Sequence, residues 1–347
     1  MSKPKPDPVY VRASVWRSCN LRCTYCPIDE GMENRVPEPL AGQRLSTGAY
    51  IRNLRLIAAA GVRGVSFTGG EPTLRPDLDR IIEEVRPYFD RVELTTNGAR
   101  LDRVKDALRQ HIDLIKVSLD TVRESDLQLI TGRSYTMNHA RGAIEWALGE
   151  GVPVGINVVL MRRTLDDLRD TIRFARSLAS GAPDSRLHLS LLDFYYTPSR
   201  RKEWLADFVP TSQVLDLLSQ WYGKPTEQER FGCIFYWFNA DGFDIRVKDS
   251  FGATMRAPKC QGCTAYCQEG IYGIKHSVEG WVTTCPSNRE DLGIHLPAET
   301  DDTEISRRLL HVLSDVDAAT PDVNSFATLR ATHHLALPLY NISRSKV

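Results

Sequence analysis

Between residues 9 and 194 the chain alternates short apolar runs with longer amphipathic ones, and this narrows the fold more than any other feature. VYVRASVW (9–16), GVSF (64–67), RVELTT (91–96), DLIKVSLD (113–120), PVGINVVLM (153–161) and RLHLSLLDF (186–194) read as strands. Between them YIRNLRLIAAAG (50–61), LDRIIEEVRPYF (78–89), RVKDALRQH (103–111), NHARGAIEWALGEG (138–151) and TLDDLRDTIRFARSLA (164–179) read as helices. Repetition of this kind makes a parallel sheet covered by helices. Six units fall short of a closed eightfold barrel, so the expected fold is α/β, an open, partial (β/α)6 TIM-like barrel over residues 8–198. In such architectures function collects at the C-terminal ends of the strands. CNLRCTYC, TGGEP, TTNG and SLD all fall there, on the first four strands.

Beyond about residue 198 the texture changes. A small C-terminal domain is expected over 225–300, followed by a helix and tail over 301–347. Within that domain IYGIKHSVEGWVTTC reads as strand, turn at Glu279-Gly280, strand, framed by cysteines. Lys+Arg and Asp+Glu are 44 each, which removes any global pull toward nucleic acid or anionic membrane. MSKPKPDP lacks the apolar core of a signal peptide, and no apolar run approaches the roughly 18 residues of a membrane span. The expectation is a soluble cytoplasmic protein with neither a membrane nor a nucleic-acid partner.

Eight cysteines, Cys19, Cys23, Cys26, Cys233, Cys260, Cys263, Cys267 and Cys285, fall in one group near the front and one near the back. A reducing cytosol disfavours disulfides, and tight grouping there points to metal or cluster binding. Three thiolates in CNLRCTYC leave one coordination position open. They suit zinc with an added histidine, or an iron–sulfur cluster with one iron free. No histidine lies near, the first being His111.

CNLRCTYC resembles the cluster-binding loop of the radical S-adenosylmethionine (SAM) superfamily, including the aromatic Tyr25 before the last cysteine. TGGEPTL (68–74) resembles that superfamily's glycine-rich segment, and TTNG (95–98) and SLD (118–120) fall where its members contact SAM. The resemblance covers about residues 8–195. It implies that Cys19, Cys23 and Cys26 hold a [4Fe-4S] cluster whose open iron chelates SAM. It also implies that Gly69, Gly70 and Glu71 receive the methionine amino group, and that Thr96, Asn97, Ser118 and Tyr25 complete the SAM site. The chemistry implied is reductive cleavage of SAM to a 5′-deoxyadenosyl radical that abstracts hydrogen from a substrate, fed by an electron donor such as flavodoxin or ferredoxin.

Cys260-x2-Cys263-x3-Cys267-x17-Cys285 suits zinc by itself, but beside such a barrel it resembles an auxiliary [4Fe-4S] domain of the SPASM/twitch kind. The branch most similar in layout is that of the GTP 3′,8-cyclases, in which three cysteines leave an iron for substrate. Arg12 matches an arginine of that branch. Gly155 stands where the branch has lysine, Gly273 and Lys275 where it has arginines, and RSKV where it ends in a double glycine. Cys267 is an extra candidate ligand, and Cys233 in CIFYWF is a further candidate or a buried structural thiol.

Arg246, Lys248, Lys275 and His276 are candidates for a substrate phosphate or carboxylate, or plain solvated strand residues. Tyr195 and Tyr196 line a pocket or pack the rim, Glu269 is a candidate general base, and Arg200-Arg201-Lys202 reads as a wet loop. The expected function is a biosynthetic radical SAM enzyme of cyclase, dehydrogenase or sulfur-insertion type, acting on a nucleotide or sugar metabolite. There the auxiliary cluster binds substrate, relays electrons or donates sulfur. A peptide-modifying maturase is the alternative, with no room before the first strand for a peptide-recognition domain. A non-catalytic metal protein is the third reading.

Overall fold

In the computed structural model, which describes residues 10–26, 36–180, 186–230, 233–250, 253–261, 263, 267–286, 289–298 and 300–323, the alternation becomes consecutive β/α units. The barrel half runs β1 (Tyr10–Trp16), α1 (Thr47–Ala59), β2 (Gly64–Gly69), α2 (Leu78–Val85), β3 (Arg91–Thr96), α3 (Lys105–His111) and β4 (Leu114–Ser118). It continues through α4 (Glu124–Thr131), α5 (Met137–Gly149), β5 (Val154–Val159), α6 (Leu168–Ala179) and β6 (Leu187–Leu192). Then follow α7 (Arg201–Asp207), α8 (Thr211–Tyr222), β7 (Thr226–Arg230), β8 (Cys233–Ala240), β9 (Phe243–Asp249) and β10 (Ala253–Arg256). The last elements are β11 (Ile274–His276), β12 (Trp281–Thr283), β13 (Gly293–His295), α9 (Asp302–Asp317) and β14 (Thr320–Val323).

The six parallel strands stand side by side in chain order, as the expected partial barrel requires. Period-two alternation sorts their side chains onto two faces. On β1, Val11, Ala13 and Val15 are buried under the helices, and Arg12 and Ser14 lie on the opposite, inward face. Tyr50, Leu54 and Ile57 of α1 and Ile81, Ile82 and Val85 of α2 complete that outer core. Each such fully buried side chain contributes about 1.5–3 kcal/mol relative to exposure. Ser46 caps α1 by accepting the Ala49 N–H at 3.3 Å.

The segment expected to form a small C-terminal domain contributes strands to both edges of this sheet. β11 pairs in parallel with β1, and β12 and β13 follow antiparallel; at the other edge β9 pairs in parallel with β6, and β8 and β7 follow antiparallel. The hairpin turn at Glu279-Gly280 falls where the sequence placed it. β10 and β14 form a separate two-stranded ribbon. The basic run 200–202 opens α7 rather than a loop. α4, which the apolar pattern did not reveal, packs its C-terminal carbonyls against the cysteine loop: Arg22 and Thr24 donate their N–H groups to Thr131 and Ile130 at 2.8 Å. Among the described residues no helix is long and apolar enough to cross a membrane. The expected tail beyond 323 lies outside the described residues.

Candidate active site

The cysteine loop leaves β1 at Trp16 and is fastened to the glycine-rich segment after β2. Gly70 and Glu71 donate their N–H groups to the carbonyls of Trp16 (2.6 Å) and Ser18 (2.9 Å). This approach leaves no room for side chains. A Cβ on Gly69, whose φ is +134°, would lie 2.3 Å from the Trp16 carbonyl oxygen, and one on Gly70 would lie 2.4 Å from that of Ser18.

Glu71 is only 1 % exposed and organises the next strand end. Its Oε1 accepts from the Thr73 N–H (3.0 Å) and from the hydroxyls of Thr73 and Thr96 (both 2.6 Å), and its Oε2 accepts from the Asn97 N–H (2.8 Å). Burial pushes its pKa up, and these donors pull it back. Oε2, with a single bond, keeps acceptor capacity for an ammonium group. The Asn97 amide donates to Asn20 Oδ1 at 2.9 Å and reaches Cys19 Sγ at 3.9 Å. Thus Gly69, Gly70, Glu71, Thr96 and Asn97 form one hydrogen-bonded unit with the loop. Ser118, half-buried, ends β4 opposite Asn157.

Two residues of this unit were not singled out from sequence. Asp120, 4 % exposed, accepts from the Tyr25 hydroxyl (2.9 Å) through Oδ2 and from the Val159 N–H (2.9 Å) through Oδ1; burial raises it to about 6. Tyr135 donates its hydroxyl to the Asn97 carbonyl. The SLD motif pointed at the first; nothing local marked the second.

All eight cysteines are free thiols. Burial raises the Cys19 and Cys23 thiols, and Asp120, Cys26 and Cys19 further oppose ionisation of Cys23. Three thiolates can coexist here only around a cationic centre, so the donor set fits an iron cluster. Cys260, Cys263, Cys267 and Cys285 line one small pocket together with Arg256 and Arg289. Cys233 is not among them; it is buried at the start of β8, and burial pushes it up to about 11. Among the described residues no three His, Cys, Asp or Glu side chains close on the position of a single metal ion. A multi-iron cluster, which binds each thiolate through a different iron, tolerates wider spacing.

Deeper in the barrel lies a ring of charge. Lys116 pairs with Glu93 at 2.5 Å; Glu269 pairs with Arg12, accepts from the Tyr272 hydroxyl at 2.9 Å, and stands 4.0 Å from Lys275. Burial opposes the Lys248 charge, yet Cys233, Asp193 and Glu269 hold it protonated. Burial of Glu269 is outweighed by Arg12, Lys275 and Lys248, which hold its carboxyl below the usual range. A carboxylate so held is a weak base, which corrects the expectation of a general base at this position. Arg246, Lys248 and Lys275 are not solvated strand residues: β9 and β11 join the barrel sheet and turn them inward. His276, the next residue, faces the other way, 0 % exposed against the Tyr50 ring at 4.6 Å, and has a packing role. Tyr196 is buried against Trp204 and Tyr195 is half-buried. Gly155 makes room for His188 on the neighbouring strand: a Cβ there would lie 2.9 Å from the imidazole ring.

Comparison with known proteins agrees with this geometry. Residues 14–175 match the model of the Radical SAM superfamily. A probable GTP 3′,8-cyclase of Pyrococcus abyssi is 28% identical over 289 residues, 81% of this chain and 86% of that one. The mitochondrial GTP 3′,8-cyclase of Arabidopsis thaliana is 30% identical over 269 residues, 73% of this chain and 63% of that one. Among solved structures, Streptococcus suis SuiB bound to S-adenosylmethionine superposes with a TM-score of 0.55 at 14% identity, over 80% of this chain and 60% of that one. Native anSMEcpe with bound AdoMet gives 0.55 at 14%, over 88% and 82%. At that identity the two structures establish the fold alone.

Proposed function

Because this chain is a radical SAM enzyme, using a [4Fe-4S] cluster and S-adenosylmethionine, we propose that it acts on an anionic small molecule, a nucleotide, the substrate class named for its GTP 3′,8-cyclase relatives. The observation that carries this reading is the cationic lumen. Arg12, Lys116, Arg246, Lys248 and Lys275, drawn from β1, β4, β9 and β11, outnumber Glu93, Asp193 and Glu269. Such a charge excess in a low-dielectric pocket attracts phosphate far more strongly than the same charges in water. When bound, cluster and SAM supply one-electron cleavage of the sulfonium and removal of a hydrogen atom from substrate. In this reading Cys19, Cys23 and Cys26 hold that cluster, and Oε2 of Glu71 accepts the SAM ammonium. Asn97, Ser118 and Tyr25 border the remainder of SAM, and the cations of the lumen hold the phosphates.

Cys260, Cys263, Cys267 and Cys285 hold an auxiliary [4Fe-4S] cluster, their common cavity being the supporting observation. Residues 8–198 act as the SAM-binding unit and 225–300 as the auxiliary-cluster unit. A low-potential donor of the flavodoxin or ferredoxin class supplies the electron. Gly155 and His188 set this lumen apart from the lysine-bearing lumen of the cyclase branch, so GTP is the first nucleotide to test rather than the sole one.

The test is 5′-deoxyadenosine formation by the anaerobically reconstituted, reduced protein with GTP, other nucleotides, sugar phosphates and short peptides, with Cys23→Ala as control. Stimulation by nucleotides above the substrate-free rate is the expected result. Stimulation by peptides alone would replace this reading with that of a maturase.

A further inference from the structure

We infer that the auxiliary site is a closed, arginine-flanked electron-transfer centre: all four cysteines ligate one cluster, no iron is left for substrate, and Arg256 and Arg289 raise its reduction potential. The inference rests on the reading of this site as an iron–sulfur centre.

The four thiols border a single cavity, and local hydrogen bonds hold the segments that bear them. Cys263 donates its N–H to the Cys260 carbonyl at 2.9 Å, the Gly270 N–H donates to Cys267 Sγ at 3.2 Å, and the Cys285 N–H donates to Thr283 Oγ1 at 3.0 Å. A four-iron cluster offers one site per iron to external ligands, so four cysteines fill them all. Cys267 therefore occupies the position through which a three-cysteine site would admit substrate. Three residues further along the chain, Gly270 begins the return toward β11, and Glu269 already belongs to the lumen. The cluster thus adjoins the substrate region along the chain without opening to it.

Among the described residues the cavity lining contains no carboxylate, and its two charged side chains are both arginine. Arg289 lines the cavity beside the four thiols and donates to the Lys259 carbonyl (2.7 Å) and to both oxygens of Asp291 (3.0 and 2.6 Å). Arg256 lines the same cavity and lies 3.2 Å from Asp322. These guanidinium groups are held in place before any cluster charge develops. Reduction adds one electron to a cluster that is already anionic, and donors or cations at the sulfurs favour that state. Asp291 and Asp322 offset part of the cationic charge but are not among the residues that line the cavity.

The experiment uses the full chain with Cys19, Cys23 and Cys26 all changed to alanine, so that only the auxiliary site can report. Failure to incorporate iron and sulfide on reconstitution would overturn the iron–sulfur reading itself. Once a cluster is present, a redox titration followed by electron paramagnetic resonance gives its midpoint. Arg289→Gln and Arg256→Gln are each expected to cut the reduced-to-oxidised ratio at fixed potential by about tenfold, a fall of ~59 mV for one electron. Arg289→Lys, which keeps charge and loses the fork, falls between them and the parent. An unchanged midpoint in both glutamine variants overturns the tuning role. Adding GTP or UTP is expected to leave the reduced spectrum unchanged in the parent and to alter it in Cys267→Ala. A nucleotide-induced change in the parent, or a Cys267→Ala cluster with the parent's spectrum and iron content, overturns the closed ligation. The same titration on the wild-type chain, where SAM perturbs only the first cluster's signal, checks that the triple alanine change has not moved the auxiliary site.

Discussion

The Tyr25 hydroxyl donates to Oδ2 of Asp120 at 2.9 Å, so the aromatic between Cys23 and Cys26 is tied to the end of the fourth strand. Asp120 is itself anchored by the Val159 N–H, and the cysteine loop is thereby fixed to two strands other than the one it leaves. Tyr25→Phe keeps the ring and removes the tether. It is expected to cost about 1–3 kcal/mol, the penalty for leaving a buried carboxylate oxygen short of a donor. SAM affinity should fall several-fold at unchanged iron content. Denaturant melts and equilibrium dialysis with SAM measure the two; unchanged values in both would show the tether to be idle.

Gly70→Ala should abolish the first cluster rather than weaken SAM binding. Its Cβ would meet the carbonyl oxygens of Ser18 at 2.4 Å and Arg17 at 2.5 Å, and backbone cannot yield as a flexible side chain can. The loop carrying Cys19 must move. Iron per chain after reconstitution is expected to drop by about half in this variant, with the auxiliary site still loaded. Full iron content would contradict the close approach.

The protein should lose stability on mild acidification. Burial, and then Arg75, hold His276 neutral and lower its pKa to about 3, and burial with Arg246 and Lys116 lowers His188 to about 4. Both imidazoles take up protons more readily in the unfolded chain, so the unfolded state gains protons first as pH falls below about 6.5. Stability is therefore complete above that pH and declines as pH falls toward 4, by up to about 3 kcal/mol from His276 alone. Unfolding free energy measured from pH 7.5 to 4.5 should slope downward, and the slope should flatten in His276→Gln. An equal slope in that variant would assign the acid sensitivity elsewhere.

Gly155 and His188 should behave as a coupled pair. Gly155→Ala places a methyl 2.9 Å from the ring and is expected to destabilise by about 1–2 kcal/mol, since a side chain can swing aside. In a His188→Ala background the same change should be nearly neutral. A double-mutant cycle reads the coupling, and additive effects would mean that the ring does not need the space.

The parts legible in the sequence were those written locally. Period-two and helical patterns marked out the six β/α units, and the spacing of Cys19, Cys23 and Cys26 pointed to the candidate site. Tyr135 and α4 escaped because their roles arise from contacts between distant segments. The lumen was harder still. Lys275 and His276 are neighbours in the sequence, yet one faces the pocket and the other the helices, and only the pairing of β11 with β1 decides which. The same pairing logic turned Arg246 and Lys248 from apparent surface residues into interior ones. Glu269 reads as a free acid in the sequence; its three cations come from β1, β9 and β11.

The placement of β9 and β11 at the two edges of the barrel sheet also sets an order of events during synthesis. Val11 pairs with Val65 on one side and Ile274 on the other, so one flank of β1 waits, unpaired, until most of the chain has been made. Contacts this remote in sequence form slowly, and open strand edges invite association with other chains. The same delay leaves the cysteine loop reachable before the lumen is walled in. A nascent chain would then expose its cysteine loop while the pocket is still open.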